Sequence, residues 1–149
     1  MTVSSEDDLA RLKRIGRIVA ETLELMGRAI EPGITERELD RIGRGYLEAA
    51  GARPAPEMVY GFPGATCISV NERIAHGIPG DRRIAPGDLV NIDVSAEKDG
   101  FFAPVFVSSP DCQPLNRGSS CSRYQSIMSI FGFRRALVNA CVRYLACSL

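Results

Sequence analysis

The sequence predicts an α+β domain. Two stretches with helical spacing of apolar residues fill the first fifty positions, and short strand-like segments separated by turn residues follow them. Lys98-Asp99-Gly100 between two apolar runs is the third observation, because it marks a β-hairpin. At 149 residues the chain is long enough to bury a real core within one domain. It carries no internal repeat.

Ser5 with Asp8 three residues later forms a capping box. Leu9, Leu12, Ile15, Val19, Leu23, Met26 and Ile30 then recur on one helical face, which predicts an amphipathic helix over about 6–29. Pro32-Gly33 ends it. Thr35 and Glu38 make a second capping box, and Leu39, Ile42, Tyr46 and Leu47 line a second helix that stops at Gly51. Residues 52–64 hold three prolines and two glycines, so they are expected to be a loop. Thr66 to Val70 is strand-like. Turns are expected at Gly77, Pro79-Gly80 and Pro86-Gly87-Asp88. Leu89, Val90, Ile92 and Val94 form an apolar strand, and Phe101-Phe102 begin its return. Beyond Pro104 the pattern weakens, with one or two helical segments expected over 123–147.

Composition narrows the function classes. Net charge is zero, so overall charge points to neither nucleic acid nor a membrane as partner. No apolar run approaches the roughly 18 residues that span a bilayer. The first residues lack an apolar signal core, so export is not expected and a cytoplasmic setting is. Five cysteines without a CxxC pair are expected to be reduced thiols and give no structural zinc motif.

That neutrality conceals two unequal parts. Residues 1–100 hold 17 acids and 13 bases, whereas 101–149 hold only Asp111 against five arginines. Cys112, Cys121, Cys141 and Cys147 also lie in this tail. A basic tail suits nucleic acid or an acidic surface. The other reading is that the tail is not an evolved partner of the first hundred residues.

Three residues carry the candidate chemistry. Asp93 lies between Ile92 and Val94, where a buried carboxylate needs a partner, a proton or a metal. The alternative is that period-2 geometry turns it toward solvent. His76, the only histidine, is followed by Gly77-Ile78-Pro79, a shaped loop able to present an imidazole to a substrate. An ordinary surface histidine is the alternative. Cys67 with His76 would make a nucleophile pair, though no third group orients it. Ser95-Ala96-Glu97-Lys98 matches S-x-x-K but falls at a strand end. A two-residue Asp99-Gly100 loop would set Lys98 opposite Phe101 and Asp93 opposite Phe106. Position 104 is then the diagonal neighbour of Asp93, roughly 7 Å away on the same face. Such a spacing suits two carboxylates that hold two divalent ions about 3.5–4 Å apart. Position 104 is a proline.

The segment CISVNERIAHGIPGDRRIAPGDLVNIDVSAEKDGF resembles the type I methionine aminopeptidases. It matches their S-x-N-E-x-x-x-H-G-I-P block, their G-D-x-V-N-I-D block and the K-D-G turn that follows. The opening K-R-I-G-R-I-V-A-E-T-L and E-P-G-I-T-x-x-E-L-D are similar to the family's first helices. The resemblance covers about residues 8–103. It implies the N-terminal half of a pita-bread fold, an antiparallel sheet flanked by helices. It also implies a dinuclear centre of cobalt, manganese, iron or zinc that serves removal of the initiator methionine. Nascent peptide N-termini are the implied partners, met at the ribosome. Carried over by position, Asp93 matches a metal ligand, and His76 matches the histidine that contacts substrate near the scissile amide. Phe62 and Cys67 match positions lining the methionine pocket.

The departures lie at and beyond Pro104. The family's second metal-binding aspartate falls on Pro104, and nothing after it matches the remaining histidine and two glutamates. Metal binding by this chain is therefore expected to be weak or incomplete. The expected division is 1–103, aminopeptidase-like, and 104–149, a divergent tail whose arginine, serine and cysteine content suits out-of-frame translation of a GC-rich gene. Three functions compete: an aminopeptidase by descent, a non-catalytic pita-bread module that binds peptide, protein or RNA, and a truncated product without function.

Overall fold

The computed structural model describes residues 3–109. The helical segments expected over 123–147 lie outside the described residues. The order of elements is α1 (Glu6–Ala29), α2 (Glu36–Ala49), β1 (Arg53–Pro54), α3 (Ala55–Tyr60), β2 (Cys67–Val70), β3 (Val90–Lys98) and β4 (Phe101–Ser109).

Both long helices start where their caps predict. The Ser5 side chain accepts from the Asp8 backbone N–H at 3.0 Å, but the expected box closes only in this direction, because the Asp8 carboxylate accepts from the Ser4 N–H and hydroxyl instead of the Ser5 N–H; Glu6, Asp7 and Asp8 complement the positive end of α1. Thr35 and Glu38 close the second capping box in both directions. The stripe of Ile15, Val19, Leu23 and Met26 is buried against α2 and the sheet.

The sheet is antiparallel throughout, with β3 at its centre. β2 pairs with the first half of β3 and β1 with its last residues, on the same edge. β4 pairs along the other edge. The Asp99-Gly100 loop has positive φ at both residues, 54° and 84°, the geometry of a type I′ turn. It fixes the expected register, with Lys98 opposite Phe101 and Asp93 opposite Phe106. Val90, Ile92, Val94 and Ala96 therefore point into the helical core, joined there by Phe101 and Ala103 of β4. Asn91, Asp93 and Ser95 take the opposite face, half-buried.

Two segments differ from expectation. Residues 52–64 are not wholly a loop. Arg53 and Pro54 pair with Glu97 and Ala96, and Ala55–Tyr60 forms one and a half turns of helix. Proline suits the first helical turn, where its missing N–H costs nothing. A cross-strand ion pair between Arg53 and Glu97 holds the short strand, and Arg44 of α2 holds α3 through Glu57. The second difference is that β4 runs through Pro104 to Ser109. The type I′ loop makes Lys98/Phe101 a hydrogen-bonded pair, so alternation makes Ser95/Pro104 a non-hydrogen-bonded one. The proline nitrogen faces away from β3, and the ladder loses no bond.

A buried carboxylate ties α2 to the sheet. Asp40 accepts from the backbone N–H groups of Ala65 and Thr66, at 3.3 and 2.8 Å, and from the Thr66 hydroxyl at 2.8 Å. Asp40→Ala strands all three donors in the interior. It should lower unfolding free energy by about 2–4 kcal/mol in urea titration. A loss below about 0.5 kcal/mol would show that water replaces the carboxylate.

Candidate metal and substrate site

The site begins with a strand pair. Cys67 of β2 lies directly opposite Asp93 of β3. Adjacent strands bring such residues within about 5 Å at Cβ. The sheet face turned away from the helices thus offers a thiol and a carboxylate side by side.

The loop after β2 adds the imidazole. Asn71 turns the chain with φ of 57° and clamps the next strand. Its N–H donates to the Leu89 carbonyl at 2.9 Å, its Oδ1 accepts from the Leu89 N–H at 2.9 Å, and its Nδ2 donates to Asp88 at 2.8 Å. The far end of the loop returns to β2. The Ile68 N–H donates to the Gly77 carbonyl at 2.9 Å, and the Gly77 N–H donates to Ser69 Oγ at 3.1 Å. A Cβ on Gly77 would lie 2.0 Å from the Ile68 carbonyl oxygen, so no other residue fits. His76, just before this contact, is held at φ of 52°, in the left-handed region. One ligand atom from each of Cys67, His76 and Asp93 then lies within 4.8 Å of the others.

Their environments differ. Cys67 is buried, Asp93 half-buried and His76 exposed. Burial, followed by the charges of Asp93 and Asp40, pushes the Cys67 thiol up to about 11. At neutral pH the group is a thiol and not a thiolate, which argues against a Cys67/His76 nucleophile pair. Burial also raises Asp93 above the usual carboxylate range, opposed by the neighbouring His76. Among the described residues no hydrogen-bond donor reaches the Asp93 carboxylate. Asp93 therefore meets neither sequence-based alternative fully, being neither sealed in the core nor turned freely to water.

Phe62, the other candidate, is half-buried just beyond α3 and lies outside this three-residue group. Pro104 is exposed at the position diagonal to Asp93. Sequence reasoning missed Glu36, the first residue of α2. It is 1% exposed, and its carboxylate accepts from the Gly80 N–H at 3.1 Å and from Arg73 at 3.4 Å. It thereby holds both ends of the loop around His76. An acid in a first helical turn reads as a surface group suited to the helix dipole, so the sequence carries no signal of its burial.

The model of metallopeptidase family M24 matches residues 10–108. The chain belongs to that family. A methionine aminopeptidase of Staphylococcus epidermidis is 50% identical over 120 residues, covering 78% of this chain and 48% of the relative. Methionine aminopeptidase 2 of Bacillus subtilis is 51% identical over 109 residues, covering 72% and 44%. Among solved structures, the methionine aminopeptidase of Thermotoga maritima superposes with a TM-score of 0.71 at 27% identity over 79% of this chain and 48% of its own. That of Rickettsia prowazekii gives 0.68 at 31% identity over 72% and 44%. The chain spans about half the length of the curated relatives it matches. Helices and an antiparallel sheet in this arrangement make the described part of this M24 member the N-terminal part of a pita-bread fold. As a metallopeptidase family, M24 implies a divalent metal. Among the described residues no helix is long and apolar enough to cross a membrane.

The raised Asp93 gives a pH prediction. The folded chain takes up this proton more readily than the unfolded chain, whose carboxyl titrates near 3.8. Ionised Asp93 therefore costs stability above its folded pKa, and the cost fades as pH falls through that value. Asp93→Asn should raise the urea midpoint at pH 7 in the presence of chelator, with a gain that shrinks in the acid range. An equal gain at pH 7 and pH 3.5 would contradict the burial argument.

Proposed function

We propose that this chain is a methionine aminopeptidase-like protein, by descent a metal-dependent exopeptidase that takes the initiator methionine from nascent proteins. The observation that carries the reading is the placement of His76 beside Asp93 and Cys67, in a chain half identical to relatives named for that activity. On this reading Asp93 is a metal ligand, and His76 donates a hydrogen bond to the substrate near the scissile amide. Phe62 and Cys67 line the pocket for the methionine side chain. The buried, un-ionised thiol suits a pocket wall better than a nucleophile. Nascent peptide N-termini are the proposed substrates, with the cytoplasm and the ribosome as the setting.

The donors do not fit a pair of ions. A dinuclear centre needs several anionic oxygens and usually an imidazole. The described residues bring one carboxylate, Asp93, to the site, and the diagonal position holds Pro104. In sequence, Asp111 is the only acid beyond residue 100, and His76 the only histidine. We therefore read the donors of the described residues as too few to hold two ions.

The replacement at 104 also sets the proposed division into 1–103 and a divergent 104–149. Because β4 continues to Ser109, the divergence up to that point is in residue identity, with the strand path intact. Loss of the second carboxylate equally fits a non-catalytic module that binds peptide, protein or RNA. Sequencing the gene from codon 100 onward checks the out-of-frame account of the tail. It predicts that another frame encodes Asp-Thr near position 104 and a later histidine and glutamate, and a gene without them rejects it.

Calorimetric titration and peptide hydrolysis test the functional reading together. Co²⁺ or Mn²⁺ should show no tight two-site isotherm, and Met-Ala-Ser should release no methionine above the buffer rate. Stoichiometric uptake of two ions, or methionine release by protein free of contaminating peptidase, would overturn the claim that the site is incomplete.

A further inference from the structure

We propose that Cys67, His76 and Asp93 form a binding site for a single borderline divalent cation, of which Zn²⁺ and Co²⁺ are the fitting members. The inference does not need the peptidase reading, since it rests on this chain's own donors.

The geometry is close to what such an ion requires. A tetrahedral ion with bonds of about 2.0–2.3 Å keeps its donors roughly 3.3–3.8 Å apart. The three donor atoms already lie within 4.8 Å of one another, so movements of about an ångström close the site. Two donors sit on neighbouring strands at fixed register, and this pair cannot drift apart. The third, His76, is exposed and directly precedes Gly77, which backbone contacts pin to β2. Among the described residues no other group claims the Asp93 carboxylate.

The donor chemistry sets the preference. One sulfur, one imidazole nitrogen and one carboxylate oxygen suit zinc or cobalt, whereas magnesium, calcium and manganese favour oxygen. The set is unlike the carboxylate-rich pair implied by the family, and it needs no residue at position 104. Binding releases the thiol proton as the metal–sulfur bond forms, so one cation enters and one proton leaves through Cys67. Three protein ligands leave a fourth position open to water or a small ligand on the exposed His76 side.

Cobalt makes the sulfur visible. The test uses the full chain with Cys112, Cys121, Cys141 and Cys147 changed to serine, which leaves Cys67 as its only thiol. Co²⁺ titration should produce a thiolate-to-cobalt charge-transfer band that saturates at one equivalent, and Zn²⁺ should abolish it while excess Mg²⁺ does not. Cys67→Ser should remove the band. His76→Asn, which tolerates the same backbone, and Asp93→Asn should each weaken Co²⁺ binding at least tenfold. Helical circular dichroism identifies any variant that has not folded, and His76→Asn, altered only on an exposed loop, then decides the matter. Absence of the band, its survival in Cys67→Ser, or unchanged affinity in either folded variant, His76→Asn or Asp93→Asn, would overturn the site. Failure here leaves the aminopeptidase ancestry standing, whereas uptake of two ions would defeat both the single-ion site and the claim that the donors do not fit a pair.

Discussion

The alternation of β3 is the constraint on which the rest depends. Its residues point by turns into the helical core and onto the opposite face, and a slip of one position would exchange the two sets. Val90, Ile92, Val94 and Ala96 anchor the core set under α1 and α2. The type I′ turn at Asp99-Gly100 fixes β4 against it, and β2 fixes the other edge. Asp93 is therefore held opposite Cys67 on one side and Phe106 on the other. Core burial thus decides where a carboxylate stands, although that carboxylate takes no part in the core.

Around this strand the chain spends buried polar groups on position. Asp40 ties α2 to the start of β2, and Glu36 ties the same helix to Arg73 and Gly80. The contact of Gly77 with Ile68 admits no side chain. Together these interactions shape the path that carries His76 back over the sheet. Buried carboxylates are costly unless hydrogen-bonded; Asp40 is bonded through both oxygens, whereas Glu36 is bonded through Oε2 alone and its buried Oε1 has no partner among the described residues. The contacts that place the loop bearing His76 are thus present while the neighbouring position 104 carries a residue without a donor. The backbone resembles that of solved methionine aminopeptidases, and among the described residues Asp93 is the one carboxylate grouped with Cys67 and His76.

Much of this was legible in the residues. Both long helices, their caps, the hairpin and its register follow from capping boxes, spacing and a two-residue turn, all of which are local signals. The short strand at Arg53 and helix α3 were not legible, because a Pro-rich stretch reads as a loop and its partners Glu97 and Arg44 come from other elements. Pro104 looked like the end of regular pattern, yet a proline at a non-hydrogen-bonded position leaves a strand whole. Cys67, His76 and Asp93 were each visible as candidates. Their convergence was not, since it depends on a strand pairing and a returning loop. Glu36 was hidden for a similar reason, with its partners 37 and 44 positions away.

Anomalous diffraction from crystals grown with Zn²⁺, with data at the zinc edge, counts the ions directly. The account predicts one anomalous peak, bounded by Cys67, His76 and Asp93. Two peaks about 3.5–4 Å apart beside Asp93 would contradict it, because a second ion needs donors that the described residues do not bring there.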